Sequence, residues 1–328
     1  MRLLRLIVPA ALAVTLVGCG DFFTKDNGSS GGGGTPGTQF VFPAFGAASA
    51  TSNTASFSIN SDNTLTSANG ALTTGIGEAT AAAVTSDNQF LYVAGFGGIA
   101  GYQISSTGAL TNIGQTSATG IIPQGIAISS DNSELFAVNL TTPTAPTISS
   151  FLIQSGALNF STAVNLPANS NPIELAVAGS FLYVADGTDT VIYQVGTSSG
   201  AVTFAQVQCP TSPCTIPSQA VAIRNGQNLY VADSVSGQVA AYSLNTTTGV
   251  PTVVGNPVTG LAGPVSVALD GSNSFLLVLT QNDNTLSSYQ LLANGGIGSR
   301  VVGVAAGTTP VQVRVNASTN TAYVANSQ

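Results

Sequence analysis

Leu182-Tyr183-Val184-Ala185 and Leu229-Tyr230-Val231-Ala232 are two copies of one apolar run. The same run recurs as Leu91-Tyr92-Val93-Ala94, Leu135-Phe136-Ala137-Val138, Leu276-Leu277-Val278-Leu279 and Ala322-Tyr323-Val324-Ala325. The second positions of successive runs are 44, 47, 47, 47 and 46 residues apart. Self-similarity at such a period marks a repeat architecture. Each run is short, rich in Val and Tyr, and apolar at adjacent positions. That suits a strand buried on both sides between two sheets, not a strand with one wet face.

Working outward, a second apolar stretch precedes each run: Ile126-Ala127-Ile128, Leu175-Ala176-Val177, Val221-Ala222-Ile223, Val267-Ala268-Leu269 and Val313-Arg314-Val315. Turns such as Ser130-Asp131-Asn132, Asn225-Gly226-Gln227 and Asp270-Gly271-Ser272 join the two as hairpins. A third strand follows, marked by Phe57, Tyr102, Phe151, Tyr193, Tyr242 or Tyr289. A weaker fourth comes after turns of the type Gly108-Ala109-Leu110, Gly156-Ala157-Leu158 and Gly200-Ala201-Val202. Four short strands per unit predict an all-β fold, a β-propeller of four-stranded antiparallel blades. The strands are designated A to D from axis to rim, and the small alanines of strand A suit the crowded axis. No stretch has a sustained helical period, which excludes a helical solenoid.

The Tyr-Val-Ala-Asn/Asp runs and Gly-Ala-Leu turns resemble those of the lactonase-like β-propellers, also described as YVTN repeats. The resemblance covers Gln39 to Gln328. The chain has no Trp, which disfavours WD40 repeats, and six-bladed NHL repeats lack the Gly-Ala-Leu turn. Such repeats are specific for fold and poor for function. Phe40-Val41-Phe42 reads as a degenerate seventh B strand, yet the last B strand lies just before Gln328. The expectation is therefore seven blades with a C-terminally truncated ring, which the resemblance favours, or six blades with the Phe57 strand completing the last.

In this strand order the D–A and B–C loops share one face. That face collects the starts of A strands (Gln124, Glu174, Gln219, Gln312) and the ends of B strands (Asn139, Asp186, Asp233, Asn326). A polar axial mouth is the default ligand site; the alternative is that these side chains satisfy strand ends and turns. Arg314 stands where other repeats carry Ala127, Ala176, Ala222 and Ala268, so it must pair or reach water. Glu174 is the candidate partner. The pair reads either as a channel-plugging ion pair or as an anion-binding, candidate catalytic couple. Asp87, Asp131 and Asp270 are single turn formers with no calcium-loop spacing, and no metal or other cofactor is expected.

The chain has 328 residues, a net charge of −7 and no His. The absence of His removes most general-base, zinc and triad mechanisms. Beyond the N-terminal Arg2 and Arg5 the basic residues are Lys25, Arg224, Arg300 and Arg314, too few and scattered for nucleic-acid binding. Residues 1–18 read as a secretory signal, with charged Arg2 and Arg5 before the apolar stretch Leu6 to Val17. Leu16-Val17-Gly18-Cys19 resembles a bacterial lipobox, which implies cleavage before Cys19 and its lipidation; an ordinary signal with a chance cysteine is the alternative. Gly20 in place of Asp points to an outer membrane. Residues 19–38, with their Gly/Ser-rich run, read as a tether, and 39–328 as the propeller. Cys209 and Cys214 read as a disulfide closing a surface loop, with a free redox pair as the alternative.

Two functions follow as expectations. One is a monomeric, non-catalytic envelope module that binds a glycan, small molecule or protein at the axial face. The other, implied by the resemblance, is a hydrolase of the 6-phosphogluconolactonase type opening a sugar lactone. Lactone-opening relatives are expected to use His, Arg and Glu near the mouth, whereas Gln124 and Gln219 stand where such enzymes often carry His.

Overall fold

Adjacent apolar side chains on a strand point to opposite faces, so a strand that is apolar at every position needs a neighbour on each side. The computed structural model supplies both. It describes residues 22–25, 39–45, 53–62, 64–116, 122–140, 146–167, 170–186, 190–198, 201–206, 220–316 and 319–327. Leu182 and Val184 pack with Phe136 and Val138 of the preceding blade. Tyr183 and Ala185 pack with Leu229 and Val231 of the following one. The same alternation repeats between blades one and two, two and three, five and six, and six and seven.

Among the described residues the strands form seven antiparallel sheets. Blade one is β1 (Phe22–Lys25), β2 (Gln39–Phe45), β3 (Asn53–Ile59) and β4 (Leu65–Thr73). Blade two is β5 (Gly77–Val84), β6 (Phe90–Phe96), β7 (Gly98–Ile104) and β8 (Leu110–Thr116). Blade three is β9 (Pro123–Ile128), β10 (Glu134–Asn139), β11 (Thr147–Gln154) and β12 (Ala157–Asn165). Blade four is β13 (Glu174–Ala178), β14 (Phe181–Ala185), β15 (Thr190–Ser198) and β16 (Ala201–Gln206). Blade five is β17 (Ala220–Arg224), β18 (Asn228–Asp233), β19 (Gln238–Leu244) and the short β20 (Pro251–Val253). Blade six is β21 (Pro264–Leu269), β22 (Phe275–Thr280), β23 (Thr285–Leu291) and β24 (Ile297–Ala305). Blade seven, among the described residues, is the pair β25 (Pro310–Asn316) and β26 (Thr321–Asn326).

Two expectations change here. The Phe57 strand β3 pairs with β2 and β4 and so belongs to blade one, which removes the six-blade alternative. The A strand of that blade, β1, lies inside the stretch 19–38 assigned to the tether. The first blade therefore begins at Phe22, not at Gln39. Four apolar or polar residues beside a glycine run carry too little pattern to read as a strand; pairing with β2 makes them one. The ring closes because Val313 and Ala322 pack on Leu277 and Leu279 of blade six, while Tyr323 and Ala325 meet Ile59 and Leu65 of blade one.

The repeated Tyr and the Gly-Ala-Leu turns have one shared reason. The hydroxyl of Tyr92 donates to the Gly156 carbonyl at 2.8 Å, that of Tyr183 to Gly249 at 2.8 Å, and that of Tyr230 to Gly295 at 2.9 Å. Each bond runs from a B strand to the C–D turn of the next blade. These glycines have positive φ, +85°, +73° and +87°, and lie against the residue two before the tyrosine: Phe90, Phe181 and Asn228. A buried hydroxyl needs its partner, and removing one side leaves a carbonyl unsatisfied. Tyr183→Phe is accordingly expected to lower unfolding free energy by about 1–2 kcal/mol, seen as a shifted urea midpoint at unchanged slope.

Burial also sets the alkaline limit of the fold. It pushes the Tyr102 and Tyr323 hydroxyls up to about 12, and raises those of Tyr92, Tyr183 and Tyr230 too. In the unfolded chain these phenols titrate near ~10. A raised folded value keeps its stabilisation below the unfolded one and loses it as pH climbs through the folded one. Full stability is expected up to about pH 10, with loss between about 10 and 12. Tyrosinate absorbance and circular dichroism, followed together, should change in one step; early tyrosinate with intact structure would contradict the burial.

The A–B turns explain the recurring asparagines. Asn88, Asn132, Asn225, Asn273 and Asn320 all have positive φ, between 51° and 60°, a region Asn tolerates better than most residues. Several also bridge blades: Asn132 Oδ1 accepts the Ser86 N–H at 2.8 Å, and Asn320 Oδ1 accepts the Gly271 N–H at 2.9 Å.

Candidate axial site

Strand A residues of blades two, three, four, six and seven enclose an axial cavity of about 550 Å³. Its polar lining is Thr80, Gln124, Glu174, Ser266, Gln312 and Arg314, and the rest is largely alanine and β-branched side chain. The register fixes their depth. Arg314 lies opposite Tyr323 as Ala176 lies opposite Tyr183, and Gln312 and Glu174 stand two residues nearer the mouth.

From blade seven Arg314 reaches across to blade four. Its Nη2 stands 3.5 Å from Glu174 Oε1, the two side chains being 20% and 27% exposed. Arg314 Nη1 also donates to the Val313 carbonyl at 3.1 Å. The second carboxylate oxygen of Glu174 accepts the Val221 N–H of blade five at 3.1 Å. Ser266, at the equivalent position of blade six, accepts the equivalent N–H, that of Val313, at 3.2 Å. Glu174 thus performs the same latch between neighbouring A strands that a serine performs elsewhere. Thr80 makes a third such link, its hydroxyl donating to the Pro123 carbonyl of blade three. Gln124 donates to the Ile122 carbonyl at 3.4 Å.

The B-strand ends do not join this lining. Asn139 is fully buried and its Nδ2 donates to Ser149 Oγ at 3.0 Å within its own blade. Asp233 accepts the Val235 and Ser236 N–H groups at 2.9 and 3.0 Å, and its other oxygen takes the Ser236 hydroxyl. Asp186 is buried, and Asn326 packs against Gly307. Strand B is second from the axis: Asn139 turns to the neighbouring strand of its own blade, and Asp233 turns into the B–C loop it caps. The expectation that Asn139, Asp186, Asp233 and Asn326 ring the channel is corrected on this ground. Gln219, Cys209, Cys214 and Cys19 lie outside the described residues. Thr80 and Ser266 carried no signal in the sequence beyond their place in strand A.

The model of the family described as lactonase, seven-bladed β-propeller, matches residues 49–161 and 147–315. The chain belongs to this family. No match is found among curated proteins. Among solved structures, the lactonase-family propeller is similar to the periplasmic gluconolactonase of Pseudomonas aeruginosa, at 17% identity, TM-score 0.68 and 84% of each chain covered. It is equally similar in shape to a protein of Lactobacillus plantarum, at 18% identity, TM-score 0.69 and 84% of each chain. Hydrazine synthase of Kuenenia stuttgartiensis also matches, at 15% identity, TM-score 0.61, covering 89% of this chain and 90% of that one. At these identities the likeness is one of fold, and the fold hosts unrelated chemistry.

Proposed function

We propose that this lactonase-family propeller is a lipid-anchored protein of the cell envelope that binds a ligand in its axial cavity without catalysing its conversion. The observation that carries this reading is the engagement of Glu174. One oxygen latches Val221 and the other faces Arg314. A general base must be within reach of the proton it removes and free to take it. A carboxylate held on both oxygens is a weak candidate, and the chain has no His to replace it. The cavity instead presents amides, hydroxyls and one self-neutralised ion pair among apolar walls. That combination suits an uncharged polar ligand such as an envelope glycan fragment or a small molecule. The lipobox-like Leu16-Val17-Gly18-Cys19 supports anchoring, and Gly20 an outer membrane. The disulfide reading of Cys209 and Cys214 fits the same exported setting.

Lactone hydrolysis is the second reading, favoured by family membership and by an arginine in the cavity able to polarise a carbonyl. One assay separates the two. The purified chain is offered a panel of sugar lactones and, in parallel, a glycan array. No turnover is expected, with glycan capture weakened about tenfold or more by Arg314→Ala, which strips the cavity of its cation. Turnover that disappears in both Glu174→Gln and Arg314→Ala would establish the hydrolase and retire the binding module.

A further inference from the structure

The propeller begins three residues after Cys19, and it begins on one particular face. β1 runs beside β5 and β25, both A strands. Val41 pairs with Phe57 as Leu182 pairs with Tyr193, so Phe42 is the counterpart of Tyr183. Phe23 lies opposite Phe42 as Ala176 lies opposite Tyr183. β1 therefore runs in the same direction as β13 and β25, and Phe22 enters from the end where Glu174 and Gln312 stand. Three residues span at most ~11 Å when extended. A six-residue strand alone is about 20 Å tall. A lipid on Cys19 cannot lead around the blade to the opposite face.

A second observation concerns that same face. Two B–C loops project bare apolar side chains from it: Phe96, 58% exposed, and Val235, 83% exposed. Among the described residues, the other exposed large apolar side chains lie on outer strands, as Phe160, Val253, Val301 and Val302 do, apart from Leu292 at a C–D turn. Turns of the opposite face present exposed Asp62, Asp87 and Asp131. The mouth face carries exposed Glu78 and Asp283, so charge draws neither face to acidic lipid. Apolar tips beside a lipid anchor supply the second contact that makes single-point attachment firm.

We propose that the axial mouth faces the membrane: the lipid on Cys19 and the Phe96 and Val235 loops hold the B–C face against the headgroup layer. The axial cavity then opens onto ligands carried by the membrane surface. This rests on the lipid-anchor reading above. The chain contains no Trp, so single tryptophans report without background. The lipidated full chain, as Phe96→Trp, Val235→Trp or Ser130→Trp, is reconstituted on phosphatidylcholine vesicles with brominated acyl chains. Ser130 is an exposed residue of an A–B turn on the far face. Flotation with the vesicles tests the anchor, with Cys19→Ser as the non-lipidated control. Quenching is expected to be about threefold or more stronger for the Phe96 and Val235 reporters than for the Ser130 reporter. Flotation with equal or stronger quenching at Ser130, or with no quenching anywhere, overturns the orientation and leaves the anchor standing. Failure to float overturns both.

Discussion

Gly156→Val is expected to lower the unfolding free energy by about 3–4 kcal/mol, in the range that only a named steric or packing fault produces. Gly156 has φ +85°, and a Cβ there would lie 2.2 Å from the Phe90 ring and 2.8 Å from Ile113 Cδ1. A β-branched residue is strained at positive φ whatever the space. Here it must also push apart two blades that the Tyr92 hydroxyl ties together through the Gly156 carbonyl. Gly226 separates these effects. It has φ +66° with nothing within 4 Å of its added Cβ, so Gly226→Ala should show backbone strain alone, about 1 kcal/mol. Urea unfolding of both variants against the parent checks this. Equal losses would mean that contact between blades contributes nothing at the turn.

Leu182→Ala should cost a similar amount, about 3–4 kcal/mol, by a different route. Leu182 is fully buried and sits in the cluster that joins blades three and four, with Phe136, Leu175 and Tyr193 around it. Its truncation loses apolar burial and leaves a cavity that two sheets, each latched to further neighbours, cannot close. Val301→Ala is the matched control, since Val301 is 57% exposed on β24; a change within about 0.5 kcal/mol is expected there. A loss at Leu182 below about 1 kcal/mol would show that the blades do not pack as rigid layers.

The two substitutions bracket how the fold was legible. Leu182 and Tyr183 announce themselves through adjacency: both are apolar, neighbours on one strand must face opposite ways, and so a sheet has to lie on each side. The period carried the same information six times. The glycine turns were visible as punctuation, but their partners were not, because Gly156 and Phe90 are 66 residues apart and meet only when blades two and three stand side by side. β1 was hidden for a related reason. Phe22–Lys25 has no pattern of its own and becomes a strand by pairing with β2 and packing beside β5 and β25.

The candidate site divides along the same line. Arg314 was conspicuous because a charge replaces alanine at a repeated position, and Glu174 because it begins an A strand on the same face and could pair with that charge. That the two meet depends on where blades four and seven stand in the ring. The B-strand residues looked equivalent to them, since a strand end names a face but not a radius. Asn139 and Asp233 share the face and sit one strand too far out to reach the axis. By itself, then, the order of residues determined strand, repeat, sheet layering and the side of the ring each loop occupies, because those follow from the period-two alternation and from turn chemistry acting over a few residues. Ring closure, the depth of each polar group, and the double engagement of Glu174 were decided by tertiary structure alone, because they arise between blades whose separation along the chain exceeds anything a local pattern can encode.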